Sequence, residues 1–117
     1  MTQPNQLHAL KLKENSINDL DEDLKKYFTV CEDKIGFVPN VLKSYSWNQN
    51  KLRSFSKVYN EIMLGESLLS KLEREMIAVV ISSANYCYYC QVAHGAAVRS
   101  YSSDPILGEL LVMDYRS

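Results

Sequence analysis

The chain has 117 residues, of which 46% are apolar and 23% are charged, and its formal net charge is −1. This length suits one compact core, and the composition excludes a wholly disordered chain. The charge balance offers no basic surface for nucleic acid or a membrane, and no apolar run approaches the ~20 residues of a transmembrane helix. Because no secretory signal is visible, we expect a cytoplasmic protein.

Apolar residues recur with the 3.6-residue period of helices, so the sequence predicts a single all-α domain of about five to six helices. Residues 1–15, which include a solvated His8, are expected to form an extended lead-in, and residues 16–117 the helical domain. A first helix is predicted over residues 19–34, with an acidic first turn and Gly36 at its end. Its predicted apolar face comprises Leu20, Leu24, Tyr27, Phe28, Cys31 and Ile35.

A turn over residues 37–40 is expected to lead into a short helix over residues 41–45. The next helix is predicted to begin after a cap at Asn48 or Asn50 and to run to about Leu64, where Gly65 closes it. The apolar stripe predicted for this helix comprises Leu52, Phe55, Tyr59, Ile62 and Met63.

Three further helices are predicted in the second half of the chain. Ser70 and Glu73 form a capping box that opens a helix over residues 71–84. After a break at residues 85–86, another helix covers residues 87–101, and Asp104 with Pro105 begins a last one over about residues 106–114. This last helix meets the end of the sequence before any stop signal. We therefore expect either a fragment of a longer protein or a helix that packs on another subunit.

The cysteines are the most informative feature of the sequence. Three of them, Cys31, Cys87 and Cys90, do not make a disulfide framework on a chain without a secretory signal. On a helix that begins near Cys87, this residue, Cys90 and His94 fall within a stripe roughly 60° wide. A helix N-terminus and a neighbouring imidazolium both stabilise a thiolate, so the pattern favours a redox-active dithiol.

Two other interpretations of the cysteine pair stay open. Together with Cys31 and His94, the pair has the composition of a Cys₃His zinc site in a structural module, although a second C-x-x-C is lacking. The two cysteines are also compatible with an inert place in the core. A c-type haem is disfavoured, because Gln91 stands where the attachment motif requires His.

Glu75 is a candidate general base, because helical geometry places it at the edge of the predicted buried face, where a carboxylate is partly desolvated. That face comprises Leu72, Met76, Val79, Val80 and Ser83. Glu73 and Arg74, which neighbour Glu75 in the sequence, are expected on the solvated side of the helix. Small residues at positions 95–97 are expected to allow close helix packing, and Cys31 is expected to be a small buried hydrophobe.

Glu75, Cys87, Tyr89, Cys90 and His94 form the pattern E-x11-C-x-[YH]-C-x3-H. This pattern resembles the alkylhydroperoxidase D-like branch of the carboxymuconolactone decarboxylase superfamily. The stretches over residues 35–40, 63–66 and 87–97 resemble its subgroup of uncharacterised peroxidase-related enzymes. Position 89 is Tyr, where the best-known peroxidase members carry His.

The resemblance implies an all-helical fold that forms homo-oligomers, as trimers or hexamers, and a thiol-dependent peroxidase without metal, haem or flavin. It implies that Cys90 attacks a hydroperoxide, that Cys87 resolves the product to a disulfide, and that Glu75 and His94 relay protons, with Tyr89 assisting. An external dithiol would then reduce the disulfide. A general thiol–disulfide oxidoreductase that uses the same site is the nearest alternative, and the zinc-binding structural module is the other.

Overall fold

The structure, a computed structural model, describes residues 15–113. Within that range the chain is entirely helical, without a strand, as predicted. A 3₁₀ turn, Ile17–Asp19, is followed by α1 (Glu22–Ile35), α2 (Asn40–Tyr45), α3 (Gln49–Leu64), α4 (Lys71–Ala84), α5 (Tyr88–Ser102) and α6 (Leu107–Met113). The predicted lead-in up to residue 14 and the predicted helix end at residue 114 lie outside the described residues. No helix in residues 15–113 combines the length and the apolarity required to cross a bilayer.

The chain divides into two compact units, Met1–Tyr59 and Asn60–Ser117. In the first unit the core joins residues that precede and form α1 to residues of α2 and α3. Its buried members are Leu20, Leu24, Phe28, Val38, Leu42 and Leu52, with Tyr27, Cys31, Val41, Tyr45 and Phe55 packed against them. Stacking of Tyr45 on Phe55, with ring centroids 4.5 Å apart, adds an aromatic contact to this core.

Helix α1 begins three residues later than predicted. Asp21 is its N-cap residue, but the Asp21 carboxylate does not cap the helix. Instead it accepts a hydrogen bond from Arg53 Nη2 at 2.6 Å, and Asp23 accepts two more from the same guanidinium. Gly36 ends the helix as predicted, in a left-handed conformation with φ of 83°. The predicted apolar face is wrong at its last position, because Ile35 is 52% exposed.

Helix α3 begins directly after Asn48, the first of its two predicted cap residues. Asn48 Oδ1 accepts a hydrogen bond from the backbone N–H of Lys51 at 3.1 Å, which satisfies one of the free donors of the helix N-terminus. The predicted apolar stripe holds at Leu52, which is fully buried, but it is wrong at Ile62, which is 62% exposed.

The second unit is a packed set of three helices, because α4, α5 and α6 all contact one another. Val79 on α4 and Val98 on α5 are fully buried at its centre. Helix α4 spans the predicted residues, and its capping box is present in full: Ser70 Oγ accepts from Glu73 N, and Glu73 Oε2 accepts from Ser70 N. The backbone N–H of Ser70 holds the pKa of Glu73 below its usual value.

Arg74 is buried, which contradicts the prediction that it lies on a solvated face. Its guanidinium donates to the backbone carbonyl oxygens of Ile62 at 3.1 Å and Gly65 at 2.9 Å. These carbonyls lie at the C-terminal end of α3, where backbone acceptors have no partner within the helix. Arg74 therefore supplies the missing donors and ties the start of α4 to the end of α3, a role that helical periodicity cannot reveal.

Helices α5 and α6 approach each other through two glycines. A Cβ atom added at Gly108 would lie 3.2 Å from the carbonyl oxygen and 3.3 Å from the Cα of Gly95. A Cβ added at Gly95 itself would meet only the end of the Arg99 side chain, at 3.8 Å. Close packing therefore occurs at position 95, as predicted, but the small residue that it requires is Gly108, and Ala96 is exposed.

The capping box yields a stability prediction. Ser70→Ala should lower the free energy of unfolding by about 1 kcal/mol, because the Glu73 N–H loses its acceptor. The measurement is urea unfolding followed by circular dichroism. Ser100→Ala, at an exposed position within α5, is the matched control and should cost nothing. The pKa of Glu73 is lower in the folded protein than its usual value of 4.5, so the stabilisation contributed by its carboxylate is fully present above pH 4.5. That stabilisation is lost as the pH falls through the pKa of Glu73 in the folded protein. Equal effects of the two substitutions would contradict this role of Ser70.

The glycine contact predicts opposite outcomes for two alanine substitutions. Gly95→Ala should raise the free energy of unfolding by up to about 1 kcal/mol, since alanine favours a helix and its methyl group has room. Gly108→Ala should lower it by about 1–3 kcal/mol, because its methyl group is pressed against backbone that cannot move freely. Thermal unfolding of the two variants measures this difference. A stabilised Gly108→Ala variant would show that the helices separate easily.

Candidate active site

The short turn between α4 and α5 places the cysteine pair. Helix α4 ends in a Schellman motif, in which the N–H of Cys87 donates to the carbonyl of Ser82 and the N–H of Tyr86 to that of Ser83, both at 3.0 Å. Such a motif requires a left-handed residue, and here it is Tyr86, with φ of 55°. Because glycine is the usual residue at this position, Tyr86 carries backbone strain.

Cys87, the predicted first residue of this helix, is the N-cap residue of α5, which begins one residue later at Tyr88. Its sulfur accepts a hydrogen bond from the backbone N–H of Cys90 at 3.3 Å, and its carbonyl accepts from the N–H of Gln91 at 2.9 Å. Cys87 and Cys90 are joined by a disulfide bond. The C-x-x-C pair therefore lies at the N-terminus of a 15-residue helix, where the helix dipole favours negative charge on sulfur.

Glu75 and His94 form a close pair between α4 and α5. The distance from His94 Nδ1 to Glu75 Oε2 is 2.6 Å, and the Glu75 side chain is only 8% exposed, against 21% for His94. Glu75 thus lies within the buried face of α4, together with Val79 and Ser82, rather than at its edge. If the carboxylate is ionised it can only accept hydrogen bonds, and Nδ1 of the imidazole is then the donor in this contact.

The imidazole is held next to the cysteine pair along α5. His94 follows Cys90 by one turn, so both side chains lie on the same side of the helix. With Nδ1 donating to Glu75, the neutral ring keeps a lone pair on Nε2 that can receive a proton. The structure therefore joins Glu75 to His94, and Cys87 to Cys90, within one unit of the chain.

Tyr89 is the member of the predicted set that is least engaged with the others. Its side chain is 41% exposed, and within residues 15–113 no hydrogen bond joins its hydroxyl to Glu75 or His94. Tyr88 is more exposed still, at 79%. Both tyrosines lie on the first turn of α5, between the two cysteines in the sequence.

Cys31 is on α1, in the first of the two units, whereas Cys87 and Cys90 belong to the second unit. It is a partly buried free thiol that packs against the core, as predicted. Burial raises the pKa of the Cys31 thiol, and the carboxylate of Glu32 raises it further. Among residues 15–113, no group of three or more Cys, His, Asp or Glu side chains has a metal-binding arrangement.

Sequence reasoning missed one residue that shapes the site. Gln91 Nε2 donates to the Ser82 carbonyl at 3.4 Å, the same oxygen that accepts from the N–H of Cys87. The Gln91 side chain thus fastens the first turn of α5 to the last turn of α4. Its only signal in the sequence is its position directly after Cys90.

Comparison with known proteins identifies the family. The model of the carboxymuconolactone decarboxylase family matches residues 52–104, which include Glu75, Cys87, Cys90 and His94. An uncharacterized peroxidase-related protein from Silicibacter sp. TM1040 is 59% identical, with a TM-score of 0.87, over 99% of this chain and 60% of that protein. Both matches support the alkylhydroperoxidase D-like carboxymuconolactone decarboxylase superfamily as the family of this chain.

A second member of this superfamily has the same fold. The alkylhydroperoxidase AhpD core, an uncharacterized peroxidase-related protein from Ralstonia eutropha JMP134, is 34% identical, with a TM-score of 0.84. The match covers 92% of this chain and 58% of that protein, so the chain spans about 60% of the length of both structural relatives. No curated protein sequence is significantly similar to it.

The contrast between the cysteines predicts where oxidation occurs. When the fully reduced protein meets one equivalent of hydroperoxide, the Cys87–Cys90 disulfide should re-form while Cys31 stays reduced, because its raised pKa keeps its thiol protonated. Peptide mapping should show the loss of two hydrogens across the C-x-x-C peptide, reversed by dithiothreitol. Cys31→Ser should leave this oxidation of the cysteine pair nearly unchanged. Oxidation of Cys31 with the pair still reduced would contradict this assignment.

Proposed function

We propose that the chain carries the active site of a thiol-dependent peroxidase that reduces hydroperoxides with its dithiol. The observation that supports this most strongly is the 2.6 Å contact between Glu75 and His94, one helical turn from Cys90. A dithiol alone suffices for thiol exchange. Reduction of a peroxide also needs a group that delivers a proton to the departing oxygen, and a paired imidazole and carboxylate supply that group.

The proposed reaction proceeds in two chemical steps on the reduced protein. Nε2 of His94 first takes the proton of the Cys90 thiol. The Cys90 thiolate then attacks one peroxide oxygen, the O–O bond breaks, and the departing alkoxide takes that proton from Nε2, which leaves an alcohol and a Cys90 sulfenic acid. The thiolate of Cys87 then attacks the Cys90 sulfur, and hydroxide leaves with a proton as water. Two electrons have passed from the two sulfurs to the peroxide, and the disulfide of the structure is the product.

An external dithiol must return these two electrons before the next cycle. Its own oxidation to a disulfide balances the reduction of the Cys87–Cys90 bond. In this proposal Tyr89 assists the relay through an ordered water, since its hydroxyl makes no direct hydrogen bond to Glu75 or His94 among the described residues.

A general thiol–disulfide oxidoreductase is the second candidate, and the position of the disulfide at the start of α5 favours it. A C-x-x-C pair at a helix N-terminus exchanges readily with other thiols. The two functions differ in their need for Glu75 and His94, because thiol exchange has no oxygen leaving group to protonate.

Substitution of the relay residues separates these two functions. Glu75→Gln retains the shape of the side chain but removes the carboxylate, so peroxide consumption should fall roughly 10²-fold or more if proton transfer limits the rate. His94→Ala should also slow consumption and move the alkylation profile of Cys90 to higher pH. The measurements are peroxide consumption and iodoacetamide alkylation against pH, with circular dichroism to check folding.

Glu109→Gln is the matched control for this experiment. Glu109 is a 56% exposed carboxylate on α6 that pairs with Arg99, and its loss should leave both profiles unchanged. Unchanged profiles for both Glu75→Gln and His94→Ala would leave a bare dithiol and favour the oxidoreductase.

We also propose that the protein forms homo-oligomers, as trimers or hexamers. An open apolar groove on α4 and α6 supports this, because it is lined by Met76, Ile77, Val80, Ile81 and Leu111 and is almost without polar atoms. Ile77 and Ile81 are about half exposed. Apolar surface of this kind is typical of contacts between subunits.

Light scattering tests the assembly. The protein should show a mass that is a multiple of 13.4 kDa at micromolar concentration. Ile81→Lys, which places a charge in the groove, should lower that mass without changing the far-UV circular dichroism spectrum. A 13.4 kDa monomer for the unsubstituted protein would refute the proposal.

A further inference from the structure

The two sulfurs of the disulfide differ in their surroundings. Cys87 Sγ accepts a hydrogen bond from a backbone N–H, that of Cys90, at 3.3 Å. No such bond to Cys90 Sγ is present among residues 15–113. The N-cap position is where a side-chain acceptor satisfies a donor that the helix leaves free, and a charged acceptor strengthens that bond.

The backbone holds Cys87 in this position independently of the disulfide. Its N–H donates to Ser82 O at 3.0 Å, and its carbonyl accepts from Gln91 N at 2.9 Å. Gln91 Nε2 adds a second donor to the Ser82 carbonyl. Because none of these bonds involves a sulfur, we expect the turn and the N-cap geometry to persist when the S–S bond opens.

Apart from Lys71, which begins α4 at the end of that helix away from Cys87, the charged groups on the adjoining helices are engaged elsewhere. On α4, Glu75 is bonded to His94, Glu73 to Ser70, and Arg74 to the carbonyls at the end of α3. On α6, Glu109 is paired with Arg99 of α5. The C-terminal carbonyls of α4, which would repel an anion, already accept from the backbone N–H groups of residues 85–87. The amide of Cys90 and the α5 dipole therefore dominate at Cys87.

We propose that Cys87 is the leaving group when the disulfide is reduced, so that an external thiol attacks the sulfur of Cys90. This inference rests on the proposed function of the dithiol and assigns a separate task to each sulfur. A thiol that leaves as a stabilised anion leaves faster, and the N-cap amide stabilises Cys87 in this way.

The electrons balance in two exchanges. A thiolate of the external dithiol bonds to Cys90 Sγ, the S–S bond breaks, and Cys87 departs with the electron pair as a thiolate that keeps the Cys90 N–H. The second thiolate of the donor then attacks the donor sulfur in the mixed disulfide and releases Cys90. The donor becomes a disulfide, one of its two protons reaches Cys90, and the other reaches solvent. Cys87 is thereby ready to attack the next Cys90 sulfenic acid.

A trapping experiment identifies the attacked sulfur. The oxidised protein is exposed briefly to 2-mercaptoethanol, quenched in acid, labelled with N-ethylmaleimide and sequenced by tandem mass spectrometry. The mercaptoethanol adduct should be on Cys90 and the maleimide on Cys87, in at least about tenfold excess over the reverse. An excess of the reverse, or an even distribution, would overturn the inference.

A second measurement guards against exchange of the adduct before quenching. Alkylation of the fully reduced protein is followed against pH for each cysteine, with Cys31 as the internal reference that reacts at the highest pH. Cys87 should be alkylated with a midpoint at least one pH unit below that of Cys90, which is about a tenfold difference in thiolate fraction. A lower midpoint for Cys90 would contradict the inference.

The outcome is separable from that of the proposed function, because peroxide consumption is measured independently. An adduct on Cys90 in a protein that consumes no peroxide would contradict only the proposed peroxidase function. Peroxide turnover with the adduct on Cys87 would contradict only the assignment of Cys87 as the leaving group.

Discussion

A carboxylate that is 8% exposed can remain inside a helical unit only if a hydrogen-bond donor meets it there. His94 provides that partner, with its Nδ1 atom 2.6 Å from Glu75 Oε2. The contact therefore joins α4 to α5 at the level of these two side chains. Removal of either partner would leave a buried polar group without compensation, which is more costly than the pair is stabilising. The contact therefore fixes how the two helices are aligned, and the alignment sets where the cysteines of α5 lie relative to the carboxylate of Glu75 on α4.

The three residues between α4 and α5 complete the arrangement through backbone bonds. The Schellman motif ends one helix with the N–H of Cys87, and the same residue begins the next helix as its N-cap. The turn consists of the capping residues of the two helices, and its backbone groups are bonded to them. A site built on helix ends in this way holds its geometry better than one built on a loop.

Sequence reasoning predicted the local features well. The capping box, the break at residues 85–86 and the helix over residues 71–84 depend on neighbouring residues, and all are present. It failed where a distant group decides the outcome. The first helix begins three residues later than predicted, and Asp21, which precedes it, binds Arg53. Arg74 turns inward to the carbonyls that end α3. The depth at which Glu75 is buried depends likewise on its partner, since His94 lies on another helix. Periodicity on one helix contains no information about such partners.

Tyr86 shows what a strained residue contributes beside a reactive bond. Its side chain is 93% exposed, so it gains almost no burial to offset the left-handed backbone, which costs of order 1 kcal/mol. A glycine would relieve the strain, but it would also widen the range of angles open to the residue before Cys87. The two reduced sulfurs would then meet less often. In the proposed reaction, the tyrosine would keep one thiol at a high effective concentration near the other, which is the quantity that sets how quickly a sulfenic acid is closed before it is oxidised further.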